Sequence, residues 1–203
     1  MNNKTVLIVA VILAFATGFV SSQMLVLKER PEVNVIYANG TKIMALNDGN
    51  YYPVVIKEIE NANSTIHIVM YEMKWYGEPE NDSHEVSRLG IALVKAHKRG
   101  VDVKIILEDG KTHGYENRGI GENNTKWKEY FESRGIEVRW DGSGQTTHDK
   151  LIIIDGKIVV VGSTNWSTSA LKYNHEANVL LDGKEVAEEY DAYFETLWSQ
   201  AHQ

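Results

Sequence analysis

Residues 148–167 read HDKLIIIDGKIVVVGSTNWS. Two apolar runs, Leu151–Ile154 and Ile158–Val161, are dominated by β-branched side chains and read as buried strands. Asp155-Gly156 between them is a strong hairpin-turn signal. His148 and Lys150 stand two apart at the head of the first strand, so a pleated backbone points both to one face. The second strand ends at Gly162, and Ser163 and Asn165 follow in a loop. A hairpin that returns on itself brings that loop back beside His148 and Lys150. An imidazole, an ammonium, a hydroxyl and an amide then surround one point. That set suits an anionic tetrahedral group, with one nucleophile or base and several donors for oxygen.

Outward from the hairpin, strands and helices alternate. Val33–Ala38 reads as a strand, Asn47-Asp48-Gly49 as a turn, and Pro53 as the opening of a helix with Val55, Ile56 and Ile59 on one side. Residues 64–71 (STIHIVMY) form a buried strand in which His67 is a core histidine. Asp82 and Glu85 look like a capping pair for a helix carrying Val86, Leu89, Leu93 and Ala96, which stops at Lys98-Arg99-Gly100. Val101–Leu107 is a strand, 108–122 a glycine-rich loop, and Trp127, Tyr130 and Phe131 mark a helix ending at Gly135. Ile136–Trp140 and Glu176–Leu181 are strands. Asp182 and Glu185 open a last helix with Val186, Tyr190, Phe194 and Leu197 at core spacing. The expected fold class is α/β, a mixed β-sheet sandwiched by helices.

Residues 5–27 carry no charge, which is long enough to span a bilayer. Two readings stand: a membrane anchor, or a signal peptide cut after Ser22. The apolar run continues through Met24–Leu27, which favours the anchor; the flanking charges are nearly balanced, an extracytoplasmic catalytic domain is expected, and cleavage would make the protein secreted. The expected division is a hydrophobic segment over 1–30 and one catalytic domain over 31–203. There is no cysteine, so disulfides and thiolate metal sites are excluded. The net charge is -7, and residues 29–203 hold 19 basic against 28 acidic side chains. Such a body is a poor non-specific binder of polyanions, so any nucleic-acid contact needs a local basic patch. Lys111, Arg118, Lys126, Lys128 and Lys172 are candidates for it, and Trp75, Tyr76 and His113 for loop residues that rim the site. Asn-x-Ser/Thr triplets begin at Asn39, Asn63, Asn81, Asn123 and Asn165; a glycan on the last would block the site.

The spacing His-x-Lys, four residues, Asp, six residues, Gly-Ser-x-Asn resembles the phospholipase D superfamily signature at His148, Lys150, Asp155, Gly162, Ser163 and Asn165. Across residues 33–200, including 98–105 and 174–179, the chain is most similar to the small bacterial endonucleases of that superfamily that carry a single motif. The resemblance implies a phospholipase D-like fold and a metal-independent phosphodiesterase. It implies a phosphohistidine on His148, with Lys150 and Asn165 holding phosphoryl oxygens and Ser163 adding a hydroxyl. Glu176 matches the carboxylate that fixes the tautomer of the histidine. Asp155 and Gly162 belong to the motif; Asp155 is read as a turn or fold residue. No cofactor and no metal are implied. One His-x-Lys per chain implies a homodimer with a composite site on the two-fold axis. Nucleic acid is the expected substrate, with phosphatidylcholine or cardiolipin as the alternative. His148-Asp149 also admits a metal phosphohydrolase, which needs further His and Asp ligands, and a non-catalytic nucleic-acid-binding or scaffold module is the third class.

Overall fold

A computed structural model of the chain describes residues 35–203 apart from 112–117 and 143. The chain divides into Met1–Glu32, which lies outside the described residues together with the expected anchor or signal segment, and the body Val33–Gln203. Among the described residues no helix is long and apolar enough to cross a membrane. His113 also lies outside them.

Eight strands form one mixed sheet: β1 (Val35–Ala38), β2 (Thr41–Ala45), β3 (Thr65–Met70), β4 (Asp102–Leu107), β5 (Glu137–Trp140), β6 (Lys150–Ile154), β7 (Ile158–Gly162) and β8 (Asn178–Asp182). Their order across the sheet is β1-β2-β8-β7-β6-β3-β4-β5. β3, β4 and β5 are parallel, joined by crossover helices α2 (Glu85–Lys98) and α3 (Arg118–Glu132). The remaining pairs are antiparallel. α1 (Tyr51–Asn61), the short α4 (Thr168–Lys172) and α5 (Lys184–Gln200) complete the chain.

The apolar run of β6 is explained by burial on both faces. Ile152 and Ile154 join the larger core with Val55, Leu89 and Phe131, whereas Leu151 and Ile153 join Phe194 and Trp198 of α5 on the opposite face. His67 lies on the α5 side, where Nδ1 meets Asp191 Oδ1 at 2.9 Å and the ring stacks on Phe194. Its Nε2 is buried without a hydrogen-bond partner among the described residues. Gly90 is required by a close approach: a Cβ there would lie 2.3 Å from the Trp127 ring.

Several local boundaries differ from the sequence reading. α3 begins at Arg118, inside the stretch read as loop, and its first turns are tied by Asn123 Nδ2 donating to Gly119 O and Thr125 Oγ1 donating to Gly121 O. α1 begins two residues before Pro53. Asp82 does not form a box with Glu85: its carboxylate accepts from His84 N and Ser87 Oγ, and Glu85 pairs with Lys172. β8 begins at Asn178, leaving Glu176 ahead of the strand, and Asp182 ends β8 instead of opening α5. β2 and α4 were not anticipated; β2 is half-exposed and α4 is a single short turn capped by Ser167 Oγ accepting from Ala170 N.

The β6–β7 turn is fixed by Asp155. Asp155 and Gly156 have φ of 56° and 57°, the left-handed pair of a type I′ hairpin. The Asp155 carboxylate accepts from the backbone amides of Asn63, Ser64 and Thr65 and from Ser64 Oγ, which ties the hairpin to the start of β3. Burial raises its pKa, but these donors outweigh burial and hold it below the ordinary carboxylate range. The stability it contributes is therefore present above the unfolded pKa and lost as pH falls through the lower folded value. Asp155→Ala should lower unfolding free energy by about 2–3 kcal/mol, measured by urea titration at neutral pH, with the difference from wild type shrinking in acid.

Candidate active site

The registers of four strands bring the motif to one rim of the sheet. Met70 at the end of β3 lies opposite Lys150, Leu151 of β6 opposite Val161, and Gly162 opposite Asn178 of β8. The segments beyond these positions carry Tyr71 and Glu72, His148 and Asp149, Ser163 to Asn165, and Glu176. They are stitched together by backbone bonds from Tyr71 N to Asp149 O (3.0 Å), Ser163 N to Ala177 O (3.2 Å) and Trp166 N to Glu72 O (3.0 Å). This is also the carboxyl end of the parallel strands β3–β5, where open α/β sheets place their ligands. Asp155 stands at the opposite end of β6, about 17 Å from Lys150 at the usual strand rise, too far to touch a substrate bound at the rim.

Lys150 is 4 % exposed. Its Nζ donates to the His148 carbonyl at 2.6 Å and lies 4.7 Å from the centre of the Tyr71 ring. The His148 imidazole is tilted against the same ring, 4.5 Å between centroids. Burial pushes the Lys150 pKa down to about 8, against the opposing charges of Asp149, Glu176 and Glu72. Burial and the neighbouring Lys150 ammonium also lower His148, opposed by Asp149 and Glu108. A neutral imidazole beside a weakly solvated ammonium is thus favoured near neutral pH, the pairing a nucleophile and an anion-binding donor need.

The loop after β7 is set by Asn178. Its Oδ1 accepts from Thr164 N at 3.1 Å, and its Nδ2 donates to Leu46 O and Thr164 Oγ1. Gly162 permits this: an added Cβ would lie 2.3 Å from Asn178 Oδ1 and 2.5 Å from Ala177 O. Asn165 Oδ1 is buried and has no hydrogen-bond partner among the described residues. Ser163 Oγ donates to Glu176 Oε2 and accepts from Ala177 N. Glu176 Oε1 accepts from Asn174 Nδ2 at 3.1 Å. Both oxygens of Glu176 are therefore held on its own loop, and among the described residues it makes no hydrogen bond to His148. The Asn47–Gly49 turn secures the same loop: Asp48 accepts from Glu176 N at 2.8 Å and lies 3.1 Å from His175 Nδ1.

Beside His148 is an acidic corner that sequence reading missed. Glu108 is 2 % exposed; it accepts from Gly110 N and Thr147 N. Asp141 accepts from Asp109 N. Burial and the adjacent Glu108 raise the Asp141 pKa, so the pair retains a proton well above the ordinary carboxylate range. Carboxylate oxygens of Glu108, Asp109 and Asp141 lie within 4.8 Å of one another, a spacing that could hold a metal ion, but the group takes in neither His148 nor Asp149. A cleft of 770 Å³ next to it is lined by Trp75, Trp140, Lys111 and Lys126 among others. The expected basic patch is largely paired: Lys126 with Glu129, Lys128 with Glu132 and Lys172 with Glu85. Of the expected rim aromatics, Trp75 packs edge-on to Trp127, and Tyr76 stacks on His84 while its hydroxyl accepts from Thr168 N.

Residues 55–198 match the family model described as cardiolipin synthase, phospholipase D-like domain. The chain belongs to the phospholipase D-like family. It is 31% identical over 112 residues to a mitochondrial cardiolipin hydrolase of Xenopus tropicalis, covering 55% of this chain and 49% of that protein. It is 30% identical over 136 residues to a phospholipase D of Rickettsia prowazekii, covering 67% and 57%. The chain thus spans about half the length of the curated relatives it matches. Among solved structures, the phospholipase D family member Nuc from Salmonella typhimurium superposes with a TM-score of 0.65 at 26% identity, over 80% of this chain and 97% of that one. NucT from Helicobacter pylori shares the fold with a TM-score of 0.62 at 19% identity, over 80% and 98%. The phospholipase D-like rim described above is the place where the motif of the family converges.

The electrostatics of this phospholipase D-like site give a direct test. A lysine NMR titration should show an ammonium losing its proton near pH 8, and that signal should vanish in Lys150→Met.

Proposed function

We propose that the chain is a metal-independent phosphodiesterase that acts through a phosphohistidine on His148, with nucleic acid as its substrate. The observation that carries this reading is the meeting of His148, Lys150 and Asn165 at one sheet rim, with an imidazole free of side-chain hydrogen bonds and an ammonium free of an ion pair among the described residues. His148 attacks phosphorus as the ester P–O bond breaks, and the leaving oxygen takes a proton from the partner's His148. That second imidazole, now neutral, removes a proton from water; the water oxygen bonds to phosphorus as the P–N bond breaks. Lys150 and Asn165 of both chains donate to the non-bridging oxygens. Ser163 positions Glu176, the carboxylate that fixes the tautomer of the histidine. The homodimer follows from chemistry: one His-x-Lys in this chain supplies one imidazole, and the reaction needs two.

Residues 1–30 act as a membrane anchor or signal segment ahead of a catalytic domain over 31–203, and the site is read as extracytoplasmic. Nucleic acid is preferred as substrate because the body has one motif and matches Nuc over nearly all of that protein. The second reading is lipid phosphodiester hydrolysis. It is favoured by the names of the curated relatives, a cardiolipin hydrolase and a phospholipase D, and by the acidic balance of the chain.

Labelled single-stranded DNA, RNA, phosphatidylcholine and cardiolipin, assayed side by side with purified protein, separate the two readings. Cleavage of DNA or RNA is expected; turnover of lipid alone would replace nucleic acid with the second reading. His148→Asn should abolish turnover with melting temperature and dimer intact. Residual activity within about tenfold of wild type, only about 1.4 kcal/mol of barrier, would sink the covalent mechanism. Activity should survive excess EDTA, because Lys150 and Asn165 supply the charge and donors that a cation would; loss restored by one divalent ion would contradict it.

A further inference from the structure

We propose that Tyr71 is a positioning residue whose ring face holds the Lys150 ammonium charged and unpaired, ready for a phosphoryl anion. The proposal rests on the reading of Lys150 as a phosphoryl donor. Tyr71 is the first residue beyond β3, and its place is fixed from two sides: its N–H donates to Asp149 O at 3.0 Å and its carbonyl accepts from Asn124 Nδ2 at 2.9 Å. Its ring touches both groups of the His-x-Lys pair, with Lys150 Nζ 4.7 Å from the centroid and the His148 ring at 4.5 Å.

A buried ammonium needs compensation for the water it has lost. A carboxylate in contact would supply it, but would also repel the substrate and occupy the donors. The quadrupole of an aromatic face stabilises the cation without a negative charge and without accepting its N–H bonds. The charged groups facing Lys150 fit that division. Asp149 and His148 flank it on the β6 approach, Glu72 follows Tyr71, and Glu176 stands ahead of β8; the three acids act on it through their fields. Among the described residues its hydrogen bond is to the neutral His148 carbonyl. That bond and the ring together leave Nζ donors for a ligand. The same ring limits the swing of the His148 imidazole, so one side chain sets both nucleophile and anion donor.

The test replaces Tyr71 by Phe and then by mono-, di- and pentafluorophenylalanine, which keep the shape while progressively weakening the quadrupole. Lys150 is read directly by lysine NMR, and turnover is read as kcat/KM against pH on whichever phosphodiester the wild type cleaves. Tyr71→Phe should keep the Lys150 titration near that of wild type and activity within about threefold. Each fluorination should lower the titration, by about half to one unit for the fully fluorinated ring, and the alkaline limb of kcat/KM should move with it. A titration that does not move across the series overturns the proposal. So does a Tyr71→Phe variant as impaired as the fluorinated one, since the hydroxyl would then carry the effect. A moving titration in a protein whose wild type cleaves no phosphodiester would overturn the phosphodiesterase reading and leave the support of Lys150 by the ring standing.

Discussion

The antiparallel registration of β6 between β3 and β7 is the constraint on which this molecule depends. A shift of one residue would turn Lys150 to the other face and move His148 with it. The register is set at both ends. At the far end, Asp155 gathers the amides of Asn63, Ser64 and Thr65 and so fixes where β6 starts its return relative to β3. Along its length, Ile152 and Ile154 fill one core and Leu151 and Ile153 the other, so a slipped β6 would lose packing on both faces. At the near end, the amide of Tyr71 meets Asp149 O, which locks the approach to His148. Asp155 thus shapes the site from a distance of a whole strand.

The rim illustrates how an acidic protein builds a site for an anion. The excess of carboxylates over cations is large, yet around Lys150 the acids are kept occupied. Glu176 is held by Ser163 and Asn174. Glu108 is buried and accepts from Thr147 N, and burial and Glu108 together push the Asp141 beside it toward its neutral form. Tyr193 Oη donates to Asp149 Oδ2 at 3.2 Å. Among the described residues this leaves an imidazole without a side-chain hydrogen bond, an ammonium without an ion pair and an Asn165 Oδ1 without a partner. Elsewhere on the surface Lys126, Lys128 and Lys172 are matched to glutamates, and Lys104 and Lys157 to aspartates. The local field at the rim therefore counts for more in substrate capture than the net charge does.

Much of this was legible in the chain. The β6–β7 hairpin, its Asp-Gly turn and the positions of His148, Lys150, Ser163 and Asn165 are local patterns, with strand period and turn chemistry agreeing. The alternation of strands and helices gave the sandwich and its mixed sheet. Features that depend on pairing across long separations were not legible. Tyr71 meets His148 because β3 pairs with β6, some eighty residues later in the chain, and nothing in YEMKW marks it. Glu108 and Asp141 end neighbouring parallel strands and meet only in the fold. The commitment of Ser163 to Glu176 is likewise tertiary. Glycine misled at the start of α3, where Gly119 and Gly121 suggested loop; Gly121 is needed because a Cβ would lie 2.7 Å from Asp109 O.

The central claim is that His148 becomes covalently bonded to phosphorus. Rapid acid-free quenching of the enzyme with a phosphodiester substrate, followed by proteolysis and mass spectrometry, tests it most directly. The account predicts a substrate-derived phosphoryl adduct on the peptide containing His148, stable in alkali, labile in acid, and absent from His148→Asn. Turnover with no adduct at any quench time, together with inversion of configuration at a chirally labelled phosphorus, would show direct attack by water and contradict it.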